Sequence, residues 1–226
     1  MCEPCIACPP KRFRLIVFDW DGTLSDSTAL IVASIQAACR DLGADVPDDA
    51  VARHVIGLGT TEALNYVAPK VPSSLHSKLA ARYRDHFLAR DAEIPLFEGA
   101  RGLLKELDAR GFLLAIATGK SRQGLARALQ QNGVGGYFFA TRCADEDWAK
   151  PHPAMLLHLM EVAGVATHET LMIGDTTHDL ELAKNAGVAA LAACYGAHPR
   201  AGLEQLKPLA VLESVADLRR WLAEHA

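Results

Sequence analysis

The chain has 226 residues, half of them hydrophobic and 22% charged, with a formal net charge of −4. This is globular composition rather than disordered, and the length suits one large α/β domain or a core with a smaller insert. The mild acidity, with scattered basic residues, argues against nucleic acid as a partner, and no apolar run reaches the roughly 18 residues a membrane span needs.

The chain opens on "MCEPCIACPPKRFR", which lacks the apolar stretch of a signal peptide, so a cytoplasmic protein with reduced cysteines is expected. Three of its six cysteines fall in this segment, at Cys2, Cys5 and Cys8. CxxC spacing suits thiolate ligation of a metal, but a closed tetrahedral site needs four ligands, and no second CxxC or CxxH follows. Residues 1–10 therefore read as a tail ahead of the first strand. Cys39 and Cys194 lie in apolar contexts and read as small core residues, and Cys143 as a loop residue.

The first element is the run "RLIVF" (Arg14–Phe18), which leads directly into Asp19 and Asp21 and then Gly22. Aspartate is a poor strand residue and costly to bury without a partner, so this placement calls for a function. From Ser25 to about Glu93 no strand-like run appears. Helical patterns fill the interval: "STALIVASIQAACRDLG", "DDAVARHVIG", "TTEALNYV" and "SSLHSKLAARYRDHFLARD". About 70 residues of helix is too long for an ordinary crossover. Residues 25–95 read as a separate helical cap, with crossings near Ser25 and near "IPLFEGA", and residues 11–24 and 96–226 as the core. Asp26 reads as a helix N-cap at this hinge.

Beyond the insert come further apolar runs: "FLLAIA" (Phe112–Ala117), "YFFA" (Tyr137–Ala140), "TLMI" (Thr170–Ile173) and "AALAAC" (Ala189–Cys194). They are continuously apolar, as strands covered on both faces are. Helical patterns with serine or proline starts and glycine stops separate them. This alternation implies a doubly wound, Rossmann-like parallel sheet.

Open parallel sheets hold ligands at the carboxyl ends of their strands. There the sequence places Asp19, Asp21, Gly22 and Thr23; Thr118, Gly119 and Lys120; Lys150; and Asp175 followed by Asp179. Clustered carboxylates repel and need a cation, and a hard divalent ion such as Mg²⁺ suits oxygen ligands. The lysine, the hydroxyl and the helix start after Gly119 point to an anionic ligand, and the whole to metal-assisted phosphoryl transfer. Thr118 and Ser121 each also read as the N-cap of the helix that follows.

"DWDGTLSDS", "AIATGK", Lys150 in "KPHP" and "GDTTHD" resemble, in order, the four motifs of the haloacid dehalogenase-like (HAD) superfamily of aspartyl-phosphate phosphatases. The helical insert resembles its subclass with a small α-helical cap, which includes phosphoglycolate phosphatase. The resemblance implies that Asp19 is the nucleophile and Asp21 the general acid and then base. It implies that Asp19, the Asp21 carbonyl and Asp175 hold Mg²⁺, with Asp179 acting through water or by orienting Lys150. Gly22, Thr23, Thr118, Gly119, Lys120 and Lys150 would bind the phosphoryl group, and the glycine-rich loop Gly57, Leu58, Gly59 and Thr60 would close over a compact substrate. Trp20, His152 and His178 read as packing or surface residues.

The expected partner is a small phosphorylated metabolite, 2-phosphoglycolate first, acting on a monomer or homodimer. A sugar-phosphate mutase related to β-phosphoglucomutase has nearly the same core and stays open. Asp21 and Asp175 speak against a dehalogenase, and Asp21 against a phosphonoacetaldehyde hydrolase. From another class, a receiver-like phospho-acceptor domain also uses Asp, Thr, Lys and Mg²⁺. It is shorter, however, and carries no helical insert.

Overall fold

The computed structural model describes residues 12–146 and 148–226, so Cys2, Cys5 and Cys8 lie outside the described residues. Six strands form one parallel sheet: β1 (Leu15–Phe18), β2 (Leu113–Thr118), β3 (Ala140–Cys143), β4 (Thr170–Gly174), β5 (Ala189–Ala193) and β6 (Ala210–Leu212), in the order β3-β2-β1-β4-β5-β6. The chain winds outward from β1 to β3, returns across the middle to β4, and winds outward again. The direction therefore reverses beside β1, and an open sheet leaves its ligand crevice at that point.

β1 reads as an unbroken apolar run because it is buried on both faces. Ile16 and Phe18 pack on the side of α5 (Ala100–Ala109), α6 (Arg122–Asn132) and α10 (Val215–His225), with Leu103, Leu107, Leu125 and Leu218. Leu15 and Val17 pack on the side of α7 (Ala154–Ala163) and α8 (Thr177–Ala186), with Leu156, Leu159 and Leu182. Each such buried side chain contributes about 1.5–3 kcal/mol relative to exposure. In-register pairing of Phe18 with both Ile116 and Ile173 brings the ends of β1, β2 and β4 level, so the polar residues just beyond them converge.

Four α-helices stand between β1 and α5: α1 (Thr28–Asp41), α2 (Asp49–His54), α3 (Thr60–Val67) and α4 (His76–Leu88). They share a core of their own, with Ile31, Val32 and Ile35 from α1 against Val55, Val67, Leu79 and Phe87. Both crossings run side by side. Ser25 bridges Leu96, Asp26 N–H donates to the Pro95 carbonyl at 3.0 Å, and Phe97 N–H donates to the Leu24 carbonyl at 3.0 Å.

The structure corrects several expectations. The third strand is Ala140–Cys143 rather than Tyr137–Ala140, and Cys143 closes it fully buried rather than lying in a loop. As a sheet-edge strand it carries half-buried Thr141 and Arg142, which hid it from an apolar-run search. The short edge strand β6, α9 (Arg200–Gln205) and α10 were not anticipated. Asp26 is exposed and caps nothing, since Ser27 is the residue before α1. Cys39 belongs to the cap core, whereas Cys194 is half-buried and donates its thiol to Glu213 at 2.9 Å.

Candidate active site

Asp19 continues the β1 ladder, its N–H donating to the Ile173 carbonyl at 2.9 Å, and its side chain is fully buried. The chain turns at Gly22, whose φ of +84° favours glycine. A Cβ there would fall inside the Asp175 carboxylate, so the turn needs glycine twice over. Thr23 Oγ1 donates to Asp175 Oδ1 and Ala197 N–H to Asp175 Oδ2, both at 2.7 Å. Thr23 thus helps to orient Asp175.

Beyond β4, Thr176 and Asp179 form a reciprocal capping box at the start of α8. Asp179 Oδ2 accepts from the Thr176 N–H and hydroxyl, at 3.1 and 2.7 Å. Its other oxygen accepts from Lys150 Nζ at 2.7 Å, and the same ammonium donates to Asp19 Oδ1 at 2.7 Å. Both Asp179 oxygens are therefore engaged in orienting Lys150 and capping the helix. Lys150 is 2% exposed, which is rare for a lysine and tolerable only because it is paired.

Asp19, Asp175 and Asp179 bring carboxylate oxygens within 4.8 Å of one another. Among the described residues one buried ammonium, that of Lys150, stands against them, so full ionisation would leave two negative charges uncompensated in the interior. Burial pushes the Asp19 carboxyl up to about 7; Lys150 pulls it back, and Asp179 and Asp21 push it further up. Asp175 is raised well above the usual range by burial and then by Asp19 and Asp179. Burial pulls Lys150 down, yet the two carboxylates outweigh it and hold the ammonium protonated. Asp19 Oδ2 is buried and has no hydrogen-bond partner. A missing double positive charge, oxygen-only donors and an orphaned carboxylate oxygen fit Mg²⁺.

Asp21 faces the same crevice under different control. Its Oδ1 accepts from Ser27 Oγ at 2.6 Å and lies 3.0 Å from Lys120 Nζ. That ammonium also sits 4.6 Å from the centre of the Phe87 ring on α4, so Lys120 ties Asp21 to the cap. Lys120, expected to bind the phosphoryl group, is paired here with Asp21 beside Thr118 and Gly119. Thr118 Oγ1 accepts from the Lys120 N–H at 3.2 Å, and the cap of α6 is Ser121, accepting from Gly124 N–H at 3.2 Å. Trp20 is buried in the main core, as a packing residue.

A cavity of about 240 Å³ opens over Asp19, Asp21, Thr118 and Gly119. Its far wall is cap side chains, including Ile31, Ile35, Val55, Leu64, Tyr83 and Arg84. Gly57 and Leu58 line it, and their loop lies so close to the core that a Cβ on Gly119 would be 2.6 Å from the Gly57 carbonyl oxygen. Gly59 does not line the cavity; it precedes α3 and faces Glu62 and Ala149. Thr60 opens α3, and its side chain lies outside the described part. Sequence reasoning missed Ser27, Tyr83 and Arg84. A helix-face reading of α4 toward the crevice was the signal available for the last two.

Residues 16–193 match the family model of the haloacid dehalogenase-like hydrolases. A Dickeya dadantii protein described as "Probable phosphatase IndB" is 32% identical over 210 residues, which is 90% of this chain and 91% of that one. A phosphoglycolate phosphatase of Vibrio vulnificus is 30% identical over 217 residues, 92% of this chain and 95% of the relative. A hydrolase from Pseudomonas syringae superposes with a TM-score of 0.85 at 24% identity, covering 93% of this chain and 98% of that structure. The chain therefore belongs to the haloacid dehalogenase-like hydrolases. Within that family it is a phosphatase, similar to phosphoglycolate phosphatase, and not a receiver domain.

Proposed function

We propose that this phosphatase hydrolyses a small phosphomonoester through an aspartyl phosphate on Asp19, with Mg²⁺ as cofactor, 2-phosphoglycolate being the first substrate to test. The observation that carries this reading is the buried charge deficit: three carboxylates, one ammonium and an unpartnered Asp19 Oδ2. The division proposed is a core of residues 11–24 and 96–226 under a cap of residues 25–95.

Asp19 attacks phosphorus through a carboxylate oxygen while the bond from phosphorus to the leaving oxygen breaks. Asp21, held by Ser27 and Lys120, gives that oxygen its proton. Asp21 then removes a proton from water, which attacks phosphorus; inorganic phosphate leaves and Asp19 is regenerated. Lys150 keeps the nucleophile ionised and aimed, and Asp179 holds Lys150. Thr118 and the Gly119 N–H hold phosphoryl oxygens, and Gly57 and Leu58 close the loop over the substrate. Mg²⁺, held by Asp19, Asp175 and the Asp21 carbonyl, would neutralise charge on the phosphoryl group. Gly22 and Thr23 act through Asp175, which they position.

The leaving group lies against the cap wall. Arg84 there is exposed at the rim and carries no ion pair among the described residues, so it is free to meet a carboxylate such as that of 2-phosphoglycolate. The test is phosphate release across a panel of phosphorylated metabolites with Mg²⁺, repeated after chelation. Multiple turnovers, loss with EDTA and recovery with Mg²⁺ are expected. A protein that converts a sugar phosphate to its isomer without releasing phosphate is a mutase, and one inactive on the whole panel overturns the reading.

A further inference from the structure

Three histidines distant in sequence meet where the cap touches the core. His54 ends α2 in the cap; His178 lies in the first turn of α8, and His198 in the loop after β5. Both core histidines are buried. The His54 ring stacks on His198 at 5.3 Å and meets His178 edge-on at 5.2 Å. Nitrogens of the three rings come within 4.8 Å, which raises a transition-metal site. The hydrogen bonds point elsewhere. His178 Nε2 lies 2.7 Å and His198 Nε2 3.1 Å from one atom, the main-chain carbonyl oxygen of His54. His198 Nδ1 accepts from the Thr177 N–H at 3.1 Å, so this ring is neutral with its proton on Nε2. Both nitrogens of His198 and Nε2 of His178 are thus already engaged as donors and an acceptor.

A carbonyl at a helix C-terminus has no acceptor role left inside its own helix and needs a partner from outside. Here the core supplies two. The position matters because Gly57 and Leu58, three and four residues further on, line the cavity over Asp19, and the Gly57 carbonyl lies against Gly119. His178 also belongs to the same helical turn as Asp179, the residue that holds Lys150.

We propose that His178 and His198 are positioning residues: their paired Nε2–H donors clasp the His54 carbonyl and fasten the cap loop closed over the phosphoryl site. The clasp rests on the phosphatase reading only for its effect on turnover. It registers the substrate-facing loop against the turn that aims the nucleophile's lysine. Burial lowers both imidazoles from their ordinary range, His198 to about 4, in keeping with neutral rings.

The test compares His178→Phe and His198→Phe with His178→Gln and His198→Gln, since a glutamine amide can replace an Nε2–H donor. Each Phe variant should raise KM about five- to tenfold, as the loss of one net hydrogen bond implies, and leave kcat within about threefold. The Gln variants should stay near wild type. Hydrogen exchange of the Ile56 and Leu58 amides should speed up in the Phe variants, and this reading needs no substrate. Unchanged KM and exchange in the Phe variants overturn the clasp, as does equal impairment by Gln and Phe. Should the Phe variants fail to fold, nitrogen-15 NMR of the wild type decides. Both rings must show the Nε2–H tautomer, and an Nδ1–H tautomer at either sinks the proposal. If the wild type releases no phosphate, the phosphatase reading fails, and exchange and tautomer still judge the clasp.

Discussion

The two walls of the cavity differ in kind. On the core side the charged groups hold one another in place: Lys150 joins Asp19 to Asp179, Thr23 and Ala197 hold Asp175, and Ser27 and Lys120 hold Asp21, leaving Asp19 Oδ2 without a partner. On the cap side the lining is mostly aliphatic, with Tyr83 and Arg84 as the polar exceptions. Fixed charges in a dry interior act strongly and need no rearrangement during reaction. An apolar wall discriminates by shape, where one methylene is worth about 1–3 kcal/mol. On the proposed function, the chemistry therefore resides in the core, and the choice of substrate in the cap.

The sharpest way to break that division is Asp19→Asn, which should lower kcat by about 10⁴-fold or more on every substrate tried, as loss of a nucleophile does. Steady-state phosphate release checks it, and an effect confined to one substrate would contradict the division. Asp21→Asn should still allow phosphoenzyme to form, with its hydrolysis slowed about 10²- to 10⁴-fold. Rapid-quench trapping of labelled protein measures this.

Lys150→Ala tests the charge balance itself. It leaves two carboxylates buried without their cation and should cost about 3–5 kcal/mol of stability, read from urea unfolding. A loss under about 1 kcal/mol would show that the pair is far better solvated than its burial indicates. The smallest expected effect is on the cap wall. Arg84→Ala should raise KM for 2-phosphoglycolate about tenfold and leave p-nitrophenyl phosphate unchanged, because only the former carries a carboxylate. Parallel losses on both substrates would move Arg84 from selectivity to folding.

The sheet's centre was legible because double burial writes strands as uninterrupted apolar runs, and because Asp19, Asp21, Lys150, Asp175 and Asp179 sit where no packing need would put them. The periphery was not. β3 and β6 are short and half-covered, so Thr141 and Arg142 look like loop residues. The grouping of Thr23 with Asp175, and of His54 with His178 and His198, joins residues more than a hundred positions apart, with no local periodicity to announce it. Lys120 was read by motif as a phosphate ligand, and only the position of Phe87 reveals its bridge between Asp21 and the cap.

The chain leaves the sheet and returns to it at one spot, where Ser25 lies beside Leu96. Chain ends that close together make an insert exchangeable, since swapping it asks nothing of the surrounding strands. Transplanting residues 25–95 from one relative into another would keep the hydrolytic engine and replace its appetite, which gives one durable scaffold a route to many metabolites.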